Sequence, residues 1–217
     1  MPRLMLLDEA GEVAREYPLD RDETLIGRSG GDVRFADDQS VAPQHAIIRR
    51  DADGVRIRDL TPEGGIKGTT WFFIRDAYVL EDADLMLLGS QVIRYRRLTP
   101  TEGQGTGVVE AAGSRVPTND VGVLEQILAN GTTRDTCYVP QGGAILIGRE
   151  HGNWAFPYDP TMSARHAEVR SRPDTGDVVV RDAGSRNGIG IALRAEHALL
   201  DGDRLLLGRQ LLRIDLQ

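Results

Sequence analysis

The chain contains one sequence unit twice. TLIGRSGGDVRFADDQSVAPQHAIIRR (24–50) recurs as ILIGREHGNWAFPYDPTMSARHAEVR (145–170), aligning Arg28 with Arg149 and His45 with His166, each pair 121 residues apart. The later parts correspond as well: VRIRDLTPEGG (55–65) with VVVRDAGSRNG (178–188), and LLGSQVIRY (87–95) with LLGRQLLRI (206–214). Such a repeat constrains architecture more firmly than local propensity does, because two copies of one polarity pattern call for two copies of one core. Each copy, at roughly 95 residues, is long enough for one small domain.

Inside each copy the segments are short and alternate in polarity, as in Val55-Arg56-Ile57-Arg58 and Ala167-Glu168-Val169-Arg170, with Gly, Asp and Pro clusters between them. That is period-two strand patterning, and no stretch reads as a long capped amphipathic helix. The expectation is an all-β protein, two β-sandwiches of twisted antiparallel sheets in tandem, with loops gathered at the ends of each. The expected domains are 1–97, a degenerate copy, and 123–217, the copy with the full set of motifs. Residues 98–122, rich in Gly, Thr, Pro and Ser, are read as a flexible linker. Its threonines Thr99, Thr101, Thr106 and Thr118 would become internal ligands for a phosphate-reading domain once phosphorylated.

The net charge of −7 argues against nucleic acid as a partner, since backbone affinity comes from clustered cations. Any anion site must therefore be a local pocket. No apolar run reaches the roughly 18–20 residues of a membrane span, and the N-terminal MPRLMLLDEAGEVARE turns acidic too early for a secretion signal. A cytoplasmic protein without membrane insertion is expected. Lys67 is the single lysine among 26 basic residues, a bias that fits a GC-rich bacterial genome. Cys137, the sole cysteine, has no partner for an intramolecular disulfide and is read as a small buried hydrophobe.

The second copy carries three short motifs in order. Gly148-Arg149 ends a strand, Ser163-Ala164-Arg165-His166 enters one, and Ser185-Arg186-Asn187-Gly188 lies in a connecting loop. A phosphorylated side chain brings about −1.5 to −2 charges and three strong acceptors, so its reader needs fixed donors. Arg149 supplies a planar fork at a strand end where Gly148 allows a tight turn. Ser163 adds a compact hydroxyl, and Asn187 offers both an amide donor and a carbonyl acceptor, which suits a peptide backbone.

These motifs, with the Leu200-Asp201-Gly202-Asp203 turn before an apolar strand containing Gly208, resemble the forkhead-associated (FHA) domain from about Val123 to Leu216. The resemblance implies phosphothreonine recognition, a known Arg-based mode. Carried across by position, it makes Arg149 and Ser163 phosphate contacts and Asn187 a peptide-backbone contact. Arg165 and Arg186 stand where supplementary phosphate contacts occur, Arg186 replacing the more usual Ser or Thr. His166 matches a structural histidine that braces the binding loop, and Gly188 a turn glycine. No catalytic residue, metal or cofactor is implied.

Other readings of the same residues are weaker. Ser163, His166 and Asp182 invite a hydrolase triad, yet no G-x-S-x-G elbow is present. Trp154 and Phe156 are expected to pack beneath the phosphate loop, a peptide-facing aromatic being the alternative. Asp201 and Asp203 read as turn residues, being too few and too irregularly spaced for a calcium loop.

The first copy keeps Gly27-Arg28 and His45, but Ala42 stands in the place of Ser163, Gly64 in that of Asn187, and Glu63 in that of Arg186. Losing a hydroxyl and an amide that each make bonds of roughly 1.5–3 kcal/mol should abolish useful phosphothreonine binding there. Its Trp71-Phe72-Phe73 run is either core strand filling or an exposed edge for docking. The leading reading is a noncatalytic adaptor that binds a phosphothreonine-bearing protein, a Ser/Thr kinase or its substrate, through its C-terminal domain. The alternatives are a phosphorylation-independent scaffold or oligomer and, third, an enzyme.

Overall fold

The alternating segments form strands throughout. The computed structural model describes residues 1–61, 68–99 and 119–217. Glu63, Gly64, Lys67 and the linker residues 100–118, including Thr101, Thr106 and Thr118, lie outside them. Among the described residues no helix is long and apolar enough to cross a membrane.

The chain divides into two compact units that do not follow the repeat boundaries: Met1–Phe73 with Gly190–Gln217, and Ile74–Ile189. The first unit holds β1 (Arg3–Leu7), β2 (Val13–Pro18), β3 (Glu23–Gly27), β4 (Val33–Arg34), β5 (Ala46–Asp51), β6 (Gly54–Asp59) and β7 (Thr70–Phe73). The second holds β8 (Tyr78–Leu80), β9 (Leu85–Leu88), β10 (Gln91–Arg97), β11 (Asp120–Ile127), β12 (Thr133–Pro140), β13 (Ala144–Gly148), β14 (Trp154–Ala155), β15 (Ala167–Ser171) and β16 (Val178–Asp182). The chain then re-enters the first unit with β17 (Ile189–Ala192), β18 (His197–Leu199), β19 (Arg204–Leu207) and β20 (Gln210–Asp215). Asp120, Val121 and Gly122, expected as linker, are the first residues of β11.

In the first unit the order β18-β6-β5-β3-β4 makes one sheet, and β7-β19-β20-β1-β2 runs through the other, with β17 beside β7. Leu4, Leu205, Leu212 and Ile214 from the latter meet Ile26, Ile48 and Ile57 from the former in one core. That interleaving of two inner faces is the β-sandwich expected from the alternation. In the second unit the sheets are β14-β13-β15-β16-β8 and β12-β11-β10-β9. Ile147, Val169 and Val180 are buried on the first of these, Met86, Ile93 and Leu124 on the second.

Each sandwich is thus completed by strands of the other repeat. In the second unit β8 pairs with β16 (Val79↔Val179) and β10 with β11 (Tyr95↔Leu124). In the first, β18 pairs with β6 (Ala198↔Arg56) and β20 with β1 (Leu212↔Leu6). The exchange is possible because the two hairpins are interchangeable. β9 and β19 share one burial pattern, with Met86 and Leu88 inward in one and Leu205 and Leu207 inward in the other. Gly89 and Gly208 turn both hairpins at φ +59°, a left-handed conformation that favours glycine, and a Cβ on either would crowd a buried aspartate oxygen at 3.0 Å.

Those aspartates lock the exchanged hairpins. Asp159, 1% exposed, accepts from the Ser90 backbone N–H (2.9 Å), the Ser90 hydroxyl (2.8 Å) and Gln91 Nε2 (2.8 Å). Asp38, 2% exposed, accepts from the Arg209 N–H (2.8 Å) and Gln210 Nε2 (2.7 Å). Burial pushes each carboxyl upward. For Asp159 the hydrogen bonds from Thr161, Gln91 and Ser90, and for Asp38 those from Ser40, Gln210 and Arg209, outweigh it and hold both well below the usual carboxylate range.

β7 resolves the aromatic run. Trp71 is buried, Phe72 stacks on His197 with ring centroids 4.3 Å apart, and Arg204 lies over Phe73 at 4.9 Å. The segment fills a core strand, pairing with β19 and β17.

Candidate functional site

The candidate site stands at one end of the second unit, where the β13–β14, β14–β15 and β16–β17 loops meet. Gly148 closes β13 against the second loop, and a Cβ there would lie 2.2 Å from the Ala164 carbonyl oxygen and 2.9 Å from that of His151. Only glycine allows so close a backbone approach. Beyond it the Arg149 N–H donates to Ser163 O (2.9 Å) and the His151 N–H to Ala164 O (3.1 Å), tying the arginine's loop to the serine's.

His166 joins that pair to the third loop. Its Nδ1 accepts from the Ser163 backbone N–H at 3.1 Å, and its Nε2 faces Gly188 O at 3.1 Å, so the proton sits on Nε2. The ring is fully buried. Burial lowers its pKa, against the Gly188 carbonyl and the charges of Asp182 and Asp159, and keeps it neutral. Neither ring nitrogen bonds the Ser163 hydroxyl, so the triad geometry is not formed.

The Ser163 hydroxyl instead accepts from the Arg186 backbone N–H at 3.0 Å, which leaves its own proton to donate outward. Asn187 spends one amide hydrogen on Thr161 O at 2.9 Å and retains its carbonyl oxygen and a second N–H. Arg165, Arg186 and Asn187 are exposed, and neither Arg165 nor Arg186 has a carboxylate partner among the described residues. Arg149 does have one: its Nε and Nη2 donate to Glu150 Oε1 at 3.1 and 2.8 Å. The structure therefore gathers Arg149, Ser163, Arg165, Arg186 and Asn187 at one loop cluster, with Gly148, His166 and Gly188 in the scaffold behind it.

Two roles were not legible in the sequence. Asp182 shapes the third loop by accepting from the Gly184 N–H (2.8 Å), the Ser185 N–H (2.6 Å) and the Ser185 hydroxyl (2.6 Å). The Ser185 hydroxyl oxygen accepts in turn from the Gly188 N–H (2.9 Å). The repeat held the signal, because Asp59 aligns with Asp182 and performs the same turn, accepting from the Thr61 N–H at 2.6 Å. The second is Glu150, which has no counterpart in the first copy, where Ser29 stands.

The flanking expectations resolve simply. Trp154 and Phe156 are buried, their centroids 5.0 Å apart, with Trp154 Nε1 donating to Asp135 at 2.8 Å. Asp203 and Asp201 accept the backbone N–H groups of Leu200 (2.7 Å) and Leu216 (2.8 Å). Cys137 is half-buried, its thiol pushed up to about 11 chiefly by burial, which leaves it a poor nucleophile.

The first unit repeats the scaffold without the donors. The Arg28 N–H donates to Ala42 O (2.8 Å), and His45 Nδ1 accepts from the Ala42 N–H (3.0 Å). Ala42 brings no hydroxyl. Arg28 turns Nε to Val41 O (3.2 Å) and Nη1 to Gln39 Oε1 (3.0 Å), and a cavity of about 460 Å³ opens beside Ser29, Ala42, Pro43, Gln44 and Leu60.

A sandwich with this loop cluster defines an interaction module. The FHA domain profile matches residues 24–89 and 145–208, more than half of the chain, and the protein belongs to the FHA family. Domains of that family are phosphothreonine-binding modules and not catalytic ones. Among solved structures the chain is similar to the FHA domain of CT664 from Chlamydia trachomatis, at 21% identity over 37% of this chain and 84% of that one (TM-score 0.24). It is similar to Slr1951 from Synechocystis at 15% identity over 100% and 95% (TM-score 0.32). A third structure, from a study of phosphothreonine-dependent FHA domain interactions, shares 28% identity over 42% and 93% (TM-score 0.24). No curated protein matches the chain.

Proposed function

We propose that the protein is a noncatalytic adaptor whose second unit reads phosphothreonine, with Arg149 and Ser163 on the phosphate, Arg165 and Arg186 adding charge, and Asn187 on the peptide backbone. The observation that carries this reading is the Ser163 hydroxyl, oriented by the Arg186 N–H and tied through its own carbonyl to the Arg149 backbone, with its proton left to donate. Fixed donors beside uncompensated guanidinium groups suit a dianion of small volume. A kinase-generated phosphothreonine on a cytoplasmic partner, the kinase itself or one of its substrates, is the ligand this reading assigns.

The test is a titration of the full chain with phosphothreonine peptides from a degenerate library and their unphosphorylated twins. Equal affinity for both sinks the proposal. Arg149→Ala, which removes charge-assisted bonds of roughly 1.5–3 kcal/mol, should weaken phosphopeptide binding about 10- to 100-fold. Wild-type affinity in that variant, with its fold intact, would remove Arg149 from the site. For the first unit, the missing hydroxyl at Ala42 favours a phosphorylation-independent scaffold.

A further inference from the structure

The arginine proposed to meet the phosphate is already occupied. Arg149 directs Nε and Nη2, the edge of the guanidinium that forks onto an oxyanion, at one carboxylate oxygen of the adjacent Glu150. Both side chains reach solvent, at 36% for Arg149 and 52% for Glu150, so the contact can break and re-form without disturbing a core. The first repeat supplies an internal comparison. There Ser29 follows the arginine, and Arg28 rests on a backbone carbonyl and a glutamine oxygen, both neutral. The carboxylate accompanies the copy that has Ser163 and Asn187.

We propose that Glu150 is a tethered competitor for the phosphate subsite. It occupies Arg149 when the site is empty, and an incoming phosphate must displace it. This inference rests on the phosphothreonine reading of the same site and adds a residue that sets its affinity. With Glu150 in place the pair contributes no net charge, and the cluster's uncompensated cations are Arg165 and Arg186. Those two attract a dianion while Arg149 is masked. An anion too weak to displace Glu150 meets no open guanidinium fork at Arg149. The cost of displacement is that of an exposed ion pair, so it moderates binding without abolishing it.

The test measures the full chain against a short phosphothreonine peptide that the wild-type protein selects from the library, in four forms: wild type, Glu150→Gln, Arg149→Ala and the double variant. Glu150→Gln should bind about two- to fivefold more tightly than wild type, and the gain should vanish in the Arg149→Ala background. A gain of equal size in that background means that Glu150 acts as a distant charge, and overturns the proposal. An unchanged or weakened Glu150→Gln also overturns it, because the carboxylate would then be a bystander or a support that positions Arg149. If the wild-type chain selects no phosphopeptide, the phosphothreonine reading itself falls and this inference with it.

Discussion

Replacing Asp159 with alanine removes an acceptor on which five donors converge: the N–H and hydroxyl of Thr161 (2.9 and 2.6 Å), the N–H and hydroxyl of Ser90 (2.9 and 2.8 Å), and Gln91 Nε2 (2.8 Å). Asp159 is 1% exposed, whereas Ser90 and Thr161 reach solvent and Gln91 is half-buried, so some of these donors regain water when the carboxylate goes and the rest are stranded. With two or three groups left stranded at about 1–3 kcal/mol each, a total loss of roughly 3–5 kcal/mol is expected. The informative quantity is how that loss couples to a second one. Gln91 belongs to the first repeat and donates to Asp159, whereas its counterpart Gln210 donates to Asp38 at 2.7 Å. A double-mutant cycle of Asp159→Ala with Gln91→Ala should show a coupling of about 1–2 kcal/mol, the worth of one bond to a charged group. The cycle with Gln210→Ala should be additive to within about 0.5 kcal/mol. Urea unfolding followed by fluorescence, with Trp71 replaced by phenylalanine so that the buried Trp154 reports on the second unit, supplies the four stabilities of each cycle. Coupling to Gln210 and additivity with Gln91 would mean that each repeat closes on its own hairpin, and would refute the exchange.

A protease site placed between residues 99 and 119 offers a coarser test of the same topology. After cutting, the two pieces should co-elute in size-exclusion chromatography, because each unit draws strands from both, and pieces that separate as independent folded domains would contradict β8–β16 and β18–β6 pairing. Acid sensitivity should appear in two stages. Burial lowers the pKa of His45 and His166 from 6.5, so the unfolded chain takes up protons first and the urea midpoint should fall as pH drops below about 6.5. Asp38 and Asp159, held below the ordinary 3.8, add a further loss as pH falls below about 4, where the unfolded state is protonated before the folded one. A midpoint that rises between pH 7 and pH 5 would show that the buried histidines do not govern this range.

The candidate site's residues could be named from the sequence because they lie close together within each motif. Gly148-Arg149, Ser163 to His166, and Ser185 to Gly188 could be placed on strand ends and loops from polarity and turn residues alone. The comparison with Ala42 also marked the first copy as lacking a donor. Glu150 was overlooked because an exposed glutamate beside an arginine has no signature until the side-chain geometry is known. The aspartate locks were overlooked because their partners, Ser90 and Gln91 for Asp159 and Arg209 and Gln210 for Asp38, are remote in the chain.

The sequence by itself determined that the protein is all-β, that it contains two copies of one sandwich pattern, and which copy carries a serine and an asparagine beside the shared arginine. Alternation and turn chemistry are local properties, and they need no knowledge of which strand meets which. Only the tertiary structure decided that β8–β10 complete the second sandwich and β18–β20 the first. The two hairpins bury the same positions, turn on equivalent glycines and meet equivalent aspartates, so local pattern cannot distinguish one pairing from the other. That choice belongs to contacts between distant segments, which the repeat makes almost equivalent and the folded chain makes definite.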